Sequence, residues 1–115
     1  MPQDCIFCKI ANKEIPAKII YEDEHLIAFP DIKPAAPVHV LIVPKRHISH
    51  LMETCCDDVS LLGHIMTTIP RIATELGLDE DGFRMVVNTK NNGGQTVYHI
   101  HWHILGGRFM TWPPG

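Results

Sequence analysis

The spacing of apolar residues along the chain predicts one long helix and one short helix. Between Asp57 and Leu76, apolar residues recur every three or four positions, which is typical of a helix with one buried face. Pro70 lies within this stretch and should kink the helix, because proline removes one backbone hydrogen bond. Residues Cys5–Asn12 carry apolar side chains on one side and predict a short N-terminal helix.

Short apolar runs that end at turn-forming residues predict the strands of a sheet. The β-branched run His39–Val43 stops at Pro44, and a proline-containing loop, Asp31–Pro37, precedes it. The other predicted strands are Ala17–Tyr21, His25–Phe29, Phe83–Asn88 and Val97–Leu105. Because most connections are short turns, we expect an α+β domain, built as a five-stranded antiparallel sheet with one long helix and a short N-terminal helix.

The last predicted strand alternates histidine with apolar residues in the sequence YHIHWHIL. Since successive side chains of a strand point to opposite faces, His99, His101 and His103 should share one face. The other face would carry the side chains that pack against the long helix, namely Tyr98, Ile100, Trp102 and Ile104. Three interpretations of the histidines remain open: an exposed polar face, a zinc or copper site, and nucleophilic catalysis with acid–base assistance.

Catalysis is the interpretation we favour, because of the segment that precedes the histidines. Imidazole has an ordinary pKa of roughly 6.5, so one ring can be a neutral nucleophile while its neighbour is the protonated partner. The turn Gly93–Thr96 enters the predicted strand and offers flexible backbone N–H groups and a hydroxyl. The sequence therefore predicts that a phosphate bound at His101 is held by this turn.

Composition and charge narrow the class of protein. The chain has 115 residues, which we interpret as a single domain, 1–115. Its formal net charge of −3, without a basic stripe, argues against binding to a nucleic-acid backbone. No apolar run reaches the roughly 20 residues that span a bilayer, and the N-terminus does not resemble a signal peptide. We therefore expect a protein of the cytoplasm, or of the nucleus, with no membrane partner and with reduced cysteines.

The run HIHWHIL resembles the signature of the histidine triad superfamily, His-φ-His-φ-His-φ-φ with φ apolar. Further segments resemble the Hint branch, the histidine triad nucleotide-binding proteins: KIANKEIPAKIIYED, FPDIKPAAPVHVLIVPKRHIS, GFRMVVN, GGQTVYHIHWHILGGR and the final WPPG. Only the N-terminal residues and the region Met52–Ser60 are undistinguished, so the resemblance covers nearly the whole chain. It implies a HIT-like fold in a single HIT domain.

The resemblance implies a nucleoside phosphoramidate hydrolase, which releases adenosine or guanosine monophosphate from an amine through a nucleotidyl-histidine intermediate. His101 would attack the α-phosphorus, and His103 would contact the phosphate. His99 and His39 would support the nucleophile from behind, and Thr96 would lie near the leaving group. Two alternatives stay open: the dinucleoside polyphosphate hydrolysis of the Fhit branch, against which the WPPG ending argues, and a non-catalytic module that binds nucleotide or zinc.

The resemblance also implies a pocket for a purine nucleoside monophosphate, in a homodimer whose two sheets join into one. Asp31 would hold the ribose hydroxyls, and apolar side chains would enclose the base. In the family the C-terminal tail crosses toward the partner's active site, so Trp112 would shape the choice of substrate. The implied nucleotide-binding residues are Ile6, Phe7, Phe29, Asp31, Ile32, Asn88, Gly94, Thr96, Val97, His101, His103 and Trp112.

Cys5 and Cys8 have the spacing of zinc ligands, and a tetrahedral site needs two more. In many members of the wider superfamily such cysteines pair with two histidines, which correspond here to His47 and His99. The resemblance therefore implies a structural zinc ion, while catalysis itself needs no cofactor. The alternative is a pair of free, half-buried thiols near the short helix. If zinc is bound, His99 cannot also be a free partner of His39, so two roles of His99 compete.

Overall fold

Five strands form one antiparallel sheet in the computed structural model, which describes residues 4–115. Their bounds are Tyr21–Glu22 (β1), Leu26–Pro30 (β2), Val38–Pro44 (β3), Phe83–Val86 (β4) and Trp102–Gly106 (β5). The strands lie in the order β1-β2-β3-β5-β4, and each pairs antiparallel with its neighbours. Together with the helices Ile6–Ala11 (α1) and Val59–Glu75 (α2), this architecture confirms the predicted fold class.

The two faces of the sheet belong to different core clusters, because side chains alternate along each strand. One face packs with α2, and its cluster includes Leu26, Val40, Ile42, Ile65, Ile69, Ile72, Ile100, Trp102 and Ile104. The other face packs with α1, and its cluster includes Phe7, Ile10, Ile27, Phe29, Leu41 and Val43. His103 lies opposite Leu41 in the pairing of β3 with β5, so the α1 face carries the histidine that ends the triad.

The long helix begins two residues later than predicted and ends one residue earlier. Asp57 and Asp58 belong to a short 3-10 helix, Cys56–Asp58, that leads into α2. Pro70 lies inside α2, which continues past it to Glu75. Gly77 follows the helix with a φ of +77°, a conformation that glycine adopts without steric cost. Within residues 4–115, no helix is long and apolar enough to cross a membrane.

The predicted strand Ala17–Tyr21 is wrong over most of its length. Only Tyr21 belongs to β1, and the chain before Ile20 has no strand structure. Ile20 still donates its N–H to Ala28 at 2.8 Å, so pairing with β2 begins there. Pro16 cannot donate a backbone hydrogen bond, and the residues that follow it line a cleft instead of extending the sheet.

The predicted strand Val97–Leu105 is also corrected, because β5 begins only at Trp102. Residues 97–101 form an irregular segment. Its hydrogen bonds include those from Ile100 to Ile48 and from His99 to Pro44. Ile100 is buried against α2, as predicted, but Tyr98 is 46% exposed and does not belong to that core. The predicted strand Phe83–Asn88 is shorter as well, since β4 ends at Val86.

Candidate active site and metal cluster

His101 is held by its own backbone in a way that leaves one ring nitrogen free. Its Nδ1 lies 2.7 Å from the carbonyl oxygen of His99, and the ring is 6% exposed. Because a carbonyl oxygen can only accept, Nδ1 must carry the proton in this bond. The neutral ring therefore keeps its lone pair on Nε2. The ring of Phe7 packs edge-on at 5.0 Å between centroids and limits how His101 can rotate.

His103 is bound by His39, and a chain of hydrogen bonds fixes which nitrogen carries each proton. The backbone N–H of Ala35 donates to Nδ1 of His39 at 2.9 Å. That nitrogen is thus an acceptor, so the neutral His39 ring carries its proton on Nε2. Nε2 of His39 lies 2.9 Å from Nδ1 of His103, which must then accept. The remaining nitrogen of His103, Nε2, carries the proton.

This geometry differs from the expected arrangement in which His39 supports the nucleophile. His39 bonds to His103, and its Nε2 also lies 3.5 Å from a carboxylate oxygen of Asp31. His99, the other expected support, contacts His101 through its carbonyl group. The two rings that face each other, His101 and His103, have centroids 4.9 Å apart.

The pKa values favour neutral rings at both positions. Burial lowers the pKa of His101 below its ordinary value. The pKa of His103 is lowered to about 4, mainly by burial and in smaller part by the nearby His101 and His39. The expected pair of one neutral and one protonated imidazole is therefore replaced by two neutral rings at neutral pH. His103 presents a donor N–H without carrying a positive charge.

Both rings line a cleft of about 530 Å³ that is mostly apolar. Nine of the residues implied for nucleotide binding line it: Ile6, Phe7, Phe29, Asp31, Ile32, Thr96, Val97, His101 and His103. One side of the cleft is formed by α1, since Ile6 and Phe7 open that helix. The carboxylate of Asp31 and the hydroxyl of Thr96 add polar groups to the same cleft as the histidines.

Three other implied residues lie outside the lining of this cleft. The side-chain amide of Asn88 donates to the carbonyl oxygen of Gly93 at 2.7 Å, so it braces the turn. Gly94 lies in the same turn with a φ of +75°. Trp112 is 80% exposed, and the guanidinium carbon of Arg84 lies 5.8 Å from the centre of its ring.

Cys5, Cys8, His47 and His99 form a compact cluster beside the candidate active site. Their ligand atoms all lie within 4.8 Å of one another. Cys5 Sγ and Cys8 Sγ lie 3.3 and 3.5 Å from His99 Nδ1. His47 Nδ1 lies 3.3 Å from Cys8 Sγ and 3.2 Å from His99 Nδ1. Ligands at the usual distances from a tetrahedral zinc ion lie about 3.3–3.8 Å apart, so this set has the right size.

The chemistry of the cluster also fits zinc. Nε2 of His99 lies 2.8 Å from the carbonyl oxygen of Pro44, so Nε2 carries the proton and Nδ1 is free to bind a metal. Cys5 caps α1, and its sulfur accepts the backbone N–H of Cys8 at 3.4 Å, which brings both sulfurs to one side of the first turn. All four residues are soft or borderline ligands, as zinc prefers.

A second set of ligand atoms, from Asp31, His39 and His103, also lies within 4.8 Å. It does not fit a metal ion, because a neutral His39 that binds through Nε2 must carry its proton on Nδ1. That nitrogen already accepts the N–H of Ala35 at 2.9 Å. The close approach of His39 and His103 is therefore a hydrogen bond.

A comparison of the chain with known protein families identifies the proteins to which it is similar. The sequence profile of the HIT domain matches residues 12–110, most of the chain. The chain belongs to the HIT domain family. An uncharacterized HIT-like protein of Synechococcus elongatus is 52% identical over 115 residues, which cover 100% of both chains.

Solved HIT structures have the same fold. The crystal structure of a HIT family hydrolase from Legionella pneumophila superposes with a TM-score of 0.95 at 52% identity, and the match covers 97% of this chain and 100% of that one. A histidine triad nucleotide-binding protein from Candida albicans superposes with a TM-score of 0.79 at 34% identity, and that match covers 88% of this chain and 73% of the other.

The three histidines of this HIT domain have different surroundings, although their spacing in the sequence is regular. His103 belongs to β5, while His99 and His101 lie in the irregular segment before it. The ring of His99 is fully buried in the cluster with Cys5, Cys8 and His47, and its carbonyl group holds His101. Different atoms of His99 make these two contacts, so a metal ion bound by its ring would leave the contact of its carbonyl group with His101 in place.

Several residues of the HIT cleft were missed by sequence reasoning. They are Ile10, Ile15, Pro16, Ala17, Lys18, Pro30 and Leu41. Ala17 and Lys18 were missed because they were interpreted as part of the strand Ala17–Tyr21. Pro16 was the available signal, since a proline favours a chain that leaves the sheet.

Proposed function

We propose that this HIT protein is a nucleoside phosphoramidate hydrolase that forms a covalent nucleotidyl intermediate on His101. The observation that carries the proposal is the pair of fixed tautomers: a lone pair on His101 Nε2 and a proton on His103 Nε2, on two rings that line one cleft. A nucleophile beside a neutral hydrogen-bond donor suits attack at a phosphorus whose oxygens gain charge. The hydrolase and nucleotide-binding relatives support the same class of reaction.

The reaction divides into two displacements at phosphorus. In the first, the bond from His101 Nε2 to the α-phosphorus forms, the phosphorus–nitrogen bond breaks, and the amine leaves with one proton drawn from solvent. In the second, water attacks phosphorus, His101 leaves as neutral imidazole, and the proton returns to solvent. His103 donates its Nε2–H to a phosphoryl oxygen in both steps. The hydroxyl of Thr96, which lines the cleft, would pass the proton to the leaving amine.

The cleft supports a purine nucleoside as the carried group. Its lining is mostly apolar beside α1, which suits a flat base, and hydrophobic lining with a few polar groups is typical of small-molecule sites. Asp31 is half-buried near the histidines and would accept hydrogen bonds from the ribose hydroxyls. The bound product would be a purine nucleoside monophosphate.

A comparison of substrates tests the reaction class. We expect the protein to release AMP and GMP from the corresponding 5′-phosphoramidates with a kcat/KM at least about 100-fold above that for diadenosine triphosphate. The measurement is product formation under steady-state conditions by chromatography. Preference for the dinucleotide would replace the proposal by dinucleoside polyphosphate hydrolysis. Nucleotide binding without any turnover would favour a non-catalytic module.

A structural zinc ion is proposed for the cluster of Cys5, Cys8, His47 and His99. The support is the size of the cluster, its sulfur and nitrogen donors, and the hydrogen bond that leaves His99 Nδ1 unprotonated. When bound, zinc would hold α1 and the chain around His47 to the segment that contains the nucleophile. All four positions are filled by side chains, so none is left open for a substrate. The ion would therefore stabilise the fold without taking part in the reaction.

We further propose that the protein is cytoplasmic. All four of its cysteines are free thiols, and the two outside the metal cluster, Cys55 and Cys56, are exposed. Free thiols are kept reduced by the redox conditions of the cytoplasm, whereas an oxidising compartment favours disulfides.

A homodimer is proposed on the outer edge of β4. In the described part of the chain β4 pairs only with β5, so its other edge has no partner strand. Phe83 and Met85 on β4 are 39% and 37% exposed, and an unpaired apolar edge is a template for joining another sheet. The exposed Trp112 would then reach toward the partner's cleft, as the resemblance to the Hint branch implies.

Met85→Lys tests the proposed interface. A lysine at this position would place a charge in an apolar contact and should shift the protein from dimer to monomer at micromolar concentration, because a desolvated charge is costly. Light scattering coupled to size-exclusion chromatography measures the mass. Glu80→Lys, which lies outside β4 and adds the same charged side chain, is the control and should remain dimeric. A monomeric wild-type protein would overturn the proposal.

A further inference from the structure

The segment that contains His101, the proposed nucleophile, lies outside the sheet, so contacts other than strand pairing must hold it in place. Residues 96–101 have no strand pairing. One backbone bond docks the segment on the chain after β3, from the N–H of Ile100 to the carbonyl oxygen of Ile48 at 2.7 Å. The ring of His99 docks it a second time, in the metal cluster. Neither contact holds the beginning of the segment, where Thr96 and Val97 line the cleft.

Gln95 directly precedes this segment and is buried, with only 7% exposed. Its side-chain nitrogen donates to the carbonyl oxygen of Ser49 at 2.8 Å and to that of Val97 at 3.1 Å. Its side-chain oxygen accepts the backbone N–H of Lys90 at 2.9 Å. One amide group thus joins three stretches of backbone: the turn before it, the chain after β3, and the segment that leads to the histidines.

From these contacts we infer that Gln95 is a positioning residue for the proposed reaction: its side-chain amide fixes the segment Thr96–His101 against the chain after β3. The inference rests on the proposed function only in naming the reaction that is impaired. The bond to Ser49 lies next to the one from Ile100 to Ile48, so the two form a clamp of the kind that strand pairing would otherwise provide.

The contacts require an amide and not a carboxylate. Two carbonyl oxygens, from Ser49 and Val97, point at the same nitrogen and both need a donor. A neutral primary amide has two donor hydrogens, whereas an ionised carboxylate has none. Gln95→Glu keeps the shape of the side chain and its acceptor toward Lys90, but leaves both carbonyl groups facing a negative charge. This substitution separates the loss of the clamp from the loss of packing.

The expected effect falls on kcat and not on KM. Apart from Val97, the apolar residues that line the cleft and Asp31 make no hydrogen bond with Gln95, so binding of the nucleoside should change by less than about threefold. Thr96 and His101 follow Gln95 in the chain, and displacement of reacting groups by about 1 Å can cost about 100-fold in rate. We expect kcat for phosphoramidate hydrolysis to fall about 10- to 100-fold in Gln95→Glu.

The matched control is Thr68→Val, which also removes a buried hydrogen bond. Thr68 is 7% exposed on α2, and its hydroxyl donates to the carbonyl oxygen of His64 at 2.6 Å. It packs away from the cleft, so any general loss of stability should lower the melting temperature without lowering kcat. Both variants are assayed as zinc-loaded full-length protein at a temperature at least about 15 °C below their melting points.

Two measurements decide the inference. A fall in kcat at nearly constant KM in Gln95→Glu, absent from Thr68→Val, supports it, and an unchanged kcat overturns it. Amide hydrogen exchange gives an answer that does not depend on turnover. Exchange at Ile100 and His101 should accelerate about 10-fold or more in Gln95→Glu while the amides of α2 keep their wild-type rates. If the wild type hydrolyses no phosphoramidate, the proposed function fails, and unchanged exchange at these two amides alone would overturn the role of Gln95.

Discussion

Replacing His101 with asparagine should lower phosphoramidate turnover by about 10⁴-fold or more, because the other imidazole of the cleft cannot take its place as the nucleophile. His103 cannot, since its unprotonated nitrogen is engaged by His39 at 2.9 Å and its free nitrogen carries the proton. Affinity for AMP should stay within about threefold of wild type, because the apolar lining and Asp31 remain in place. Steady-state kinetics and calorimetric titration with AMP measure the two effects.

Samples quenched in alkaline denaturant, in which the phosphorus–nitrogen bond of a nucleotidyl-histidine is stable, give an independent test of the same role. Mass spectrometry of the wild type should detect a nucleotidyl adduct on a peptide that contains His101, and this adduct should be absent from His101→Asn. His64→Asn is a suitable control, because His64 bonds to Asp23 at 2.7 Å and does not line the cleft. Its turnover should equal that of wild type. An adduct on His103, or His101→Asn turnover above about 1% of wild type, would contradict the assignment.

The strands that sequence predicts well are those whose apolar pattern reflects the packing of the sheet. His39–Val43 lies within β3, and the apolar positions Ile100, Trp102 and Ile104 belong to the α2 core as their alternation predicts. The pattern fails at Ala17–Tyr21 and at Val97–His101 for one physical reason. In both places some residues line a site instead of pairing as a strand: Ala17, Lys18, Val97 and His101 line the cleft, and His99 belongs to the Cys/His cluster.

The sequence predicts which types of residue form the candidate site, but not which nitrogen of each histidine ring carries the proton. The spacing of the histidines identifies the rings, yet the proton positions depend on the N–H of Ala35 and on two carbonyl groups, those of His99 and Pro44. Every residue carries these backbone groups, so the sequence does not indicate which of them will contact a histidine ring. For the same reason sequence reasoning could not see that His99 serves the cluster with its ring and the nucleophile with its carbonyl group.

Loss of a cluster ligand should have the second largest effect, this time on stability. Cys8→Ser should lower the free energy of unfolding by about 4 kcal/mol and the melting temperature by roughly 15–25 °C, because a structural metal contributes its binding free energy to folding. Cys8 is only 2% exposed and contacts both His47 and His99. Calorimetry measures the melting temperature, and elemental analysis should find one zinc ion per wild-type chain and none in the variant.

The control for this change is Cys55→Ser, an exposed cysteine outside the cluster, which should keep the wild-type melting temperature and zinc content. A wild type that carries no zinc and melts at the same temperature as Cys8→Ser would contradict the structural role. The substitution should also lower kcat, although Cys8 does not line the cleft. His99 links the two effects, because its ring belongs to the cluster and its carbonyl group fixes the His101 tautomer. When the ring is released from the cluster, the carbonyl group loses its position. The stability of the cluster and the tautomer of the proposed nucleophile therefore depend on the same residue.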